Sequence, residues 1–136
     1  MTGIDRREFT KLAGGVGITS LASSTFGTFA IAQGAAKVVI VGGGAGGATV
    51  AHYLKREEPK LEVTLIEANP IYSSSFFSNL YLGGFRSFES LNHDYSGLEQ
   101  VGVQFVRDYA TNVDPVARTV KTQSGGTFAY DRLVLS

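Results

Sequence analysis

The chain has 136 residues, with 12 basic and 12 acidic side chains, no formal net charge, 43% hydrophobic and 18% charged residues. That profile fits one small globular domain or a piece of a larger one and excludes a disordered chain, and the lack of a basic field removes nucleic acid as an expected partner. No cysteine is present, which excludes disulfides, thiolate metal sites and cysteine nucleophiles together. His52 and His93 lack metal-ligand spacing, so no metal site is expected.

The N-terminal stretch MTGIDRREFTK carries the pair Arg6-Arg7, and no residue from Leu12 to Ala36 is charged. That run is rich in Gly, Ser, Thr and Ala, which makes a poor membrane span. It leads into Ala30-Ile31-Ala32, a small-x-small site suited to a signal peptidase. The segment resembles twin-arginine export signals. The resemblance implies a signal peptide over residues 1–32, a short linker over 33–36, and a periplasmic mature protein with no stable membrane span. An uncleaved anchor is the alternative. A core helix is opposed by Gly14, Gly15, Gly17 and Gly27, which weaken it without an amphipathic stripe.

Lys37 to Val41 (KVVIV) is a short β-branched run suited to a buried parallel strand. GGGAGG follows, Gly42-Gly43-Gly44-Ala45-Gly46-Gly47, and then ATVAHYLKREEP. Gly47, Val50, Ala51 and Leu54 share one face of an expected helix, which Pro59 stops. LEVTLIE, residues 61–67, alternates as a second strand. Gly42, Gly44 and Gly47 satisfy GxGxxG between a strand and a helix. The first permits the turn, the second a close pyrophosphate, and the third, with Ala51, close packing of helix on sheet. The helix N-terminus then offers free N–H groups to the phosphates. Glu67 ends the second strand, where a carboxylate accepts the hydroxyls of an adenosine ribose. An acid there argues against a 2′-phosphate, hence against NADP. The loop alone leaves FAD and NAD open.

After a loop-rich stretch, GVQFVRD (102–108) reads as a third strand. Asp114-Pro115 and Gly125-Gly126 mark turns, with strands expected over 119–122 and 127–135. A β-meander closed by YDRLVLS resembles flavoprotein disulfide-reductase-like enzymes, in which such a strand returns to the FAD domain. Nicotinamide dehydrogenases continue the alternation of helix and strand instead. The expected fold class is therefore α/β: a Rossmann-like FAD-binding domain over residues 37–136, βαβ followed by a meander, incomplete at its C-terminus.

Residues 37–136 resemble, more narrowly, the flavoprotein subunit of flavocytochrome c sulfide dehydrogenases. KVVIVGGGAGGATVAHYLK, EVTLIEANPIYSSSFFSNLYLGG, and GLEQVGVQF continuing to YDRLVLS carry the likeness. It implies a periplasmic FAD oxidoreductase taking electrons from sulfide or a related small sulfur compound and passing them to a c-type cytochrome subunit. Sulfide:quinone reductases and type II NADH dehydrogenases are the neighbouring alternatives, and this chain by itself would be a nucleotide-binding module without turnover. In that family a cysteine in the segment matching YSSSFFSN links to the flavin. Aligning Ser78-Asn79 puts Ser75 at its place, and a hydroxyl with its high pKa does not form that thioether. The resemblance thus implies FAD held non-covalently, with Ser75, Ser78 and Asn79 joining the glycine loop and Glu67. A serine run that merely solvates a loop is the plainer alternative. The family's redox cysteine pair lies beyond the residues present, so the catalytic residues stay unassigned. Phe76, Phe77, Tyr81 and Leu82 are expected to be core residues seating a short helix.

Overall fold

The computed structural model describes residues 34–136. The expected export signal, residues 1–32, lies outside the described residues, as does the first residue of the linker. Four parallel strands form the central sheet: β1 (Lys37–Val41), β2 (Glu62–Ile66), β5 (Gln104–Val106) and β9 (Arg132–Leu135), in the order β5-β2-β1-β9. Helix α1 (Ala45–Glu57) crosses from β1 to β2. A two-stranded antiparallel pair, β3 (Ile71–Ser73) and β4 (Asn92–Asp94), brackets the short helix α2 (Ser78–Leu82), and α3 (Ser96–Gln100) leads into β5. The meander β6 (Ala110–Asp114), β7 (Thr119–Thr122), β8 (Thr127–Ala129) precedes β9.

The pleat of β1 sends its side chains alternately to two cores. Val38 and Ile40 pack with Val63, Leu65, Val103 and Ala51 of α1. Val39 packs with Ile66 and with Val120 of the meander, so the meander covers the face opposite the helix. Being covered on both faces, β2 buries Val63, Thr64, Leu65 and Ile66 in succession. The alternation expected over 61–67 is thus replaced by a continuously buried strand.

The strand expected over 127–135 is two strands. Asp131 divides them: its N–H donates to the Lys37 carbonyl (2.8 Å) and its Oδ2 accepts the Lys37 N–H (2.7 Å). Those bonds turn the chain out of the meander and lay β9 parallel to β1. At the other end of the meander, Asp108 accepts the Ser124 N–H and hydroxyl and the Tyr109 N–H. The hydrogen bonds from Ser124 hold its carboxyl down at about 2.

The short helix expected after the serine run is present as α2, but its apolar residues are not core. Phe76 is 71% and Leu82 81% exposed, and Phe77 and Tyr81 are exposed as well. The helix has only five residues and no buried one, so it offers no apolar stripe to the sheet. Phe85 and Phe88 are exposed as well, and the contacts in this stretch are local, Tyr81 against Phe88 (5.6 Å between ring centroids) and Arg86 over Phe77 (4.8 Å). Among the described residues no helix is long and apolar enough to cross a membrane, and no group of acidic or histidine side chains is placed to hold a metal ion.

Candidate functional site

The chain runs β1 to β2 to β5 on one side and returns to the other side of β1 as β9. Successive connections therefore diverge at the carboxyl end of β1, which is where open α/β sheets leave a crevice for ligands. The glycine loop occupies this point. Gly42 donates its N–H to Ile66 O (2.9 Å) and turns the chain at φ +99°, a conformation that side chains with a Cβ rarely adopt. Gly47 lies where α1 crosses the loop; a Cβ there would run into the Gly42 carbonyl oxygen and reach 3.3 Å from Ile40 Cγ2. This glycine lets the helix lie on the strand, as the motif anticipates.

Gly44 is different. It is the N-cap of α1, in ordinary extended backbone (φ −62°, ψ −174°), and a Cβ added to it meets no protein atom within 4 Å. It borders a cleft of about 410 Å³ lined also by Glu67, Asn69, Ile71, Tyr72, Ser73 and Tyr95. A hollow of about 480 Å³ at the opposite end of the strands, beside Lys55 and Lys60, shows that volume does not select the site. The chemistry at Gly44 does. Among the described residues no protein acceptor takes the amides of Gly44, Ala45, Gly46 or Gly47, which leaves the positive end of a 13-residue helix open to an anion.

Glu67 stands beside this end because β1 and β2 are in register, Val41 opposite Ile66. Its backbone is fixed by Glu67 N–H to Val106 O (3.0 Å) and Asp108 N–H to Glu67 O (3.2 Å). One carboxylate oxygen accepts the Gly43 N–H (2.8 Å); the other accepts the backbone N–H of Asn69 (2.8 Å) and its side-chain amide (3.1 Å). A carboxylate has about four acceptor sites, so Glu67 ties down the glycine loop and retains capacity for a ribose hydroxyl. The residues therefore fit a dinucleotide: free amides and a Cβ-free surface for the diphosphate, and an acid for the sugar.

Two further residues, absent from the sequence reading, shape the cleft. Tyr95 is 5% exposed, stacks on Phe105 with centroids 4.6 Å apart, and donates its hydroxyl to the Gly43 carbonyl (2.9 Å). Burial, reinforced by the negative charge of Glu67, pushes its phenol up, so it stays a donor. Asn69 closes on Glu67 from two residues away. Tyr95 is 52 residues from Gly43 along the chain, and no spacing rule connects them. Asn69, next to Pro70 and just past the acid, was findable as a turn residue that bonds locally.

Of the anticipated cofactor residues, Gly42, Gly43, Gly44, Ala45, Gly46, Gly47 and Glu67 are brought together here. Ser75, Ser78 and Asn79 do not line this cleft. Ser75 lies on the turn between β3 and α2, and Ser78 and Asn79 open α2; the Ser78 N–H (3.2 Å) and hydroxyl (2.9 Å) donate to the Ser75 carbonyl and the Gly83 N–H donates to Asn79 O (3.0 Å). The Ser75 and Asn79 side chains face solvent.

A parallel sheet with an anion-ready helix end at its switch point and an acid on the next strand defines a dinucleotide-binding α/β fold. Residues 36–136 match the pyridine nucleotide-disulphide oxidoreductase family, and the chain belongs to that family. It is 37% identical over 101 residues to a sulfide-quinone reductase of Aquifex aeolicus (strain VF5), covering 73% of this chain and 23% of that one. It is 46% identical over 46 residues to the flavoprotein chain of a flavocytochrome c sulfide dehydrogenase of Chlorobaculum thiosulfatiphilum, 34% of this chain and 96% of that one. The crystal structure of the Aquifex aeolicus sulfide:quinone oxidoreductase is similar, with a TM-score of 0.68 and 35% identity over 74% of this chain and 24% of that one. The chain thus spans about a quarter of the length of the sulfide-quinone reductase it matches.

Proposed function

We propose that this chain is the FAD-binding part of a periplasmic flavoprotein that oxidises sulfide, or a related small sulfur compound, and passes the electrons to a c-type cytochrome. The observation that carries the cofactor half of the reading is the unobstructed Gly44 at the α1 N-terminus, with Glu67 beside it. The sulfur half is supported by relatives whose names specify sulfide. The cytochrome acceptor is supported by the likeness to a flavocytochrome c flavoprotein chain over 46 residues. Export is supported by Arg6-Arg7 and the small-x-small site at Ala30 to Ala32. A quinone acceptor is the second reading, favoured by the 37% identity that extends over 101 residues to a sulfide-quinone reductase.

FAD, when bound, supplies two-electron redox chemistry. The residues described here bind and orient it: the amides at the start of α1 hold the diphosphate and Glu67 the adenosine ribose. The whole protein, purified from a periplasmic fraction, is expected to be yellow and to be bleached by sulfide under anaerobic conditions. Reoxidation by added cytochrome c, faster than by a short-chain quinone, is the expected result. The reverse order would establish the quinone reading, and a colourless preparation that takes up no added FAD would sink both.

The flavin is expected to be non-covalent, because Ser75 stands where the resembling family has its linking cysteine and the chain contains no cysteine. Precipitating the holoprotein in acid should release FAD to the supernatant. Ser75→Cys is expected to keep part of the flavin on the polypeptide through denaturing electrophoresis. Flavin that stays with the wild-type band would overturn the serine assignment.

A further inference from the structure

We propose that Tyr95 is a positioning residue for the diphosphate: by gripping the carbonyl of Gly43 it aims the N–H of Gly44 at the ligand. The inference rests on the nucleotide reading above and deepens it. Gly43 is held from two sides, its N–H by Glu67 Oε2 (2.8 Å) and its C=O by the Tyr95 hydroxyl (2.9 Å). The carbonyl of Gly43 and the N–H of Gly44 belong to one planar trans peptide, in which the two groups point in opposite directions. Fixing the carbonyl toward Tyr95 therefore fixes the Gly44 N–H away from it.

This peptide needs fixing more than its neighbours do. Both residues flanking it are glycines, and a glycine pair can rotate the intervening plane through backbone regions closed to other residues. Rotation would turn a carbonyl toward the phosphates in place of an N–H, exchanging attraction for repulsion. No side chain at Gly43 could supply the restraint instead, since a Cβ there would collide with the Tyr95 phenol and lie 2.9 Å from Glu67 Cγ. Tyr95 is itself immobilised by burial and by its stack on Phe105 of β5. The third strand of the sheet thus steadies a loop that follows the first.

The test compares two ligands in the full-length protein stripped of flavin. ADP uses the diphosphate cradle; adenosine uses only the end near Glu67 and Asn69. Tyr95→Phe keeps the ring and its stacking but removes the donor, and is expected to weaken ADP about tenfold, the scale of one lost hydrogen bond, with adenosine unchanged. FAD should weaken in step with ADP. Val120→Ala, which opens the core on the face of the sheet away from Tyr95, is expected to lower the melting temperature and leave the ratio of the two affinities as in wild type. Equal losses for both ligands in Tyr95→Phe, no loss for either, or a shifted ratio in Val120→Ala would each overturn the positioning role. Failure of the wild type to bind ADP or FAD would overturn the nucleotide reading as well.

Discussion

Gly44→Val is expected to abolish FAD binding while leaving the domain folded. Its backbone angles are open to any L-residue, and nothing in the protein lies within 4 Å of the new Cβ. The folding cost is confined to a poorer helix cap, about 1 kcal/mol. The branched side chain instead enters the cleft at the start of α1, where the diphosphate would approach. Losing two N–H bonds to a charged group, each worth about 1.5–3 kcal/mol, corresponds to at least about a hundredfold in affinity. The measurement is flavin content after purification, beside a thermal melt of the apoprotein. A variant that retains flavin at the wild-type ratio would move the diphosphate away from this helix end.

Gly47→Val should fail in the opposite manner, by losing the fold before the question of cofactor arises. Here the added Cβ meets backbone: the Gly42 carbonyl oxygen, with Ile40 Cγ2 at 3.3 Å behind it. Neither is the flexible end of a side chain, so α1 must lift from the sheet and loosen the contact between Ala51 and the fully buried Ile40 and Leu65. Overpacking of this kind costs about 1–3 kcal/mol or more, and the clash with backbone puts this position at the upper end. Denaturant midpoints of the flavin-free protein are the readout. An unchanged midpoint would mean that helix and strand are farther apart than described here. Two glycines of one motif, three residues apart, thus separate ligand binding from folding.

The strand–loop–helix–strand unit was legible because each of its signals is local. A β-branched run, a glycine cluster, a small-residue face ending at Pro59 and an acid past the next strand all lie within about thirty residues, the span of one such unit. What was not legible depended on partners remote in sequence. The alternation expected over 61–67 failed because covering both faces of β2 requires α1 and the meander together. The undivided strand over 127–135 failed because Asp131 bonds to Lys37, 94 residues away. Phe76, Phe77, Tyr81 and Leu82 suggested core by composition, yet a five-residue helix with no buried face cannot carry them inward. At the site, Glu67 was anticipated as a ligand for ribose, and its second task, holding Gly43, was not. Tyr95 was invisible, since only the pairing of β1, β2 and β5 brings it beneath the glycine loop.

The pairing of β9 with β1 also has a temporal meaning. β1 is among the first described residues to leave the ribosome and β9 among the last, yet they are neighbours, Val38 opposite Arg132 and Val41 opposite Leu135. Joining ends so distant costs roughly 4 kcal/mol of chain entropy by the logarithmic closure rule, a cost met only once the returning strand has been made. Ser136 then donates its N–H to Val41 O (2.9 Å), and its own carbonyl lies against Gly42. One wall of the glycine loop is therefore built from residues translated about a hundred positions after the loop itself. A nascent chain halted before Arg132 carries the entire GxGxxG motif with an unpaired strand beside it. The wall beside the loop is accordingly complete only once β9 has been made, well after synthesis of the motif.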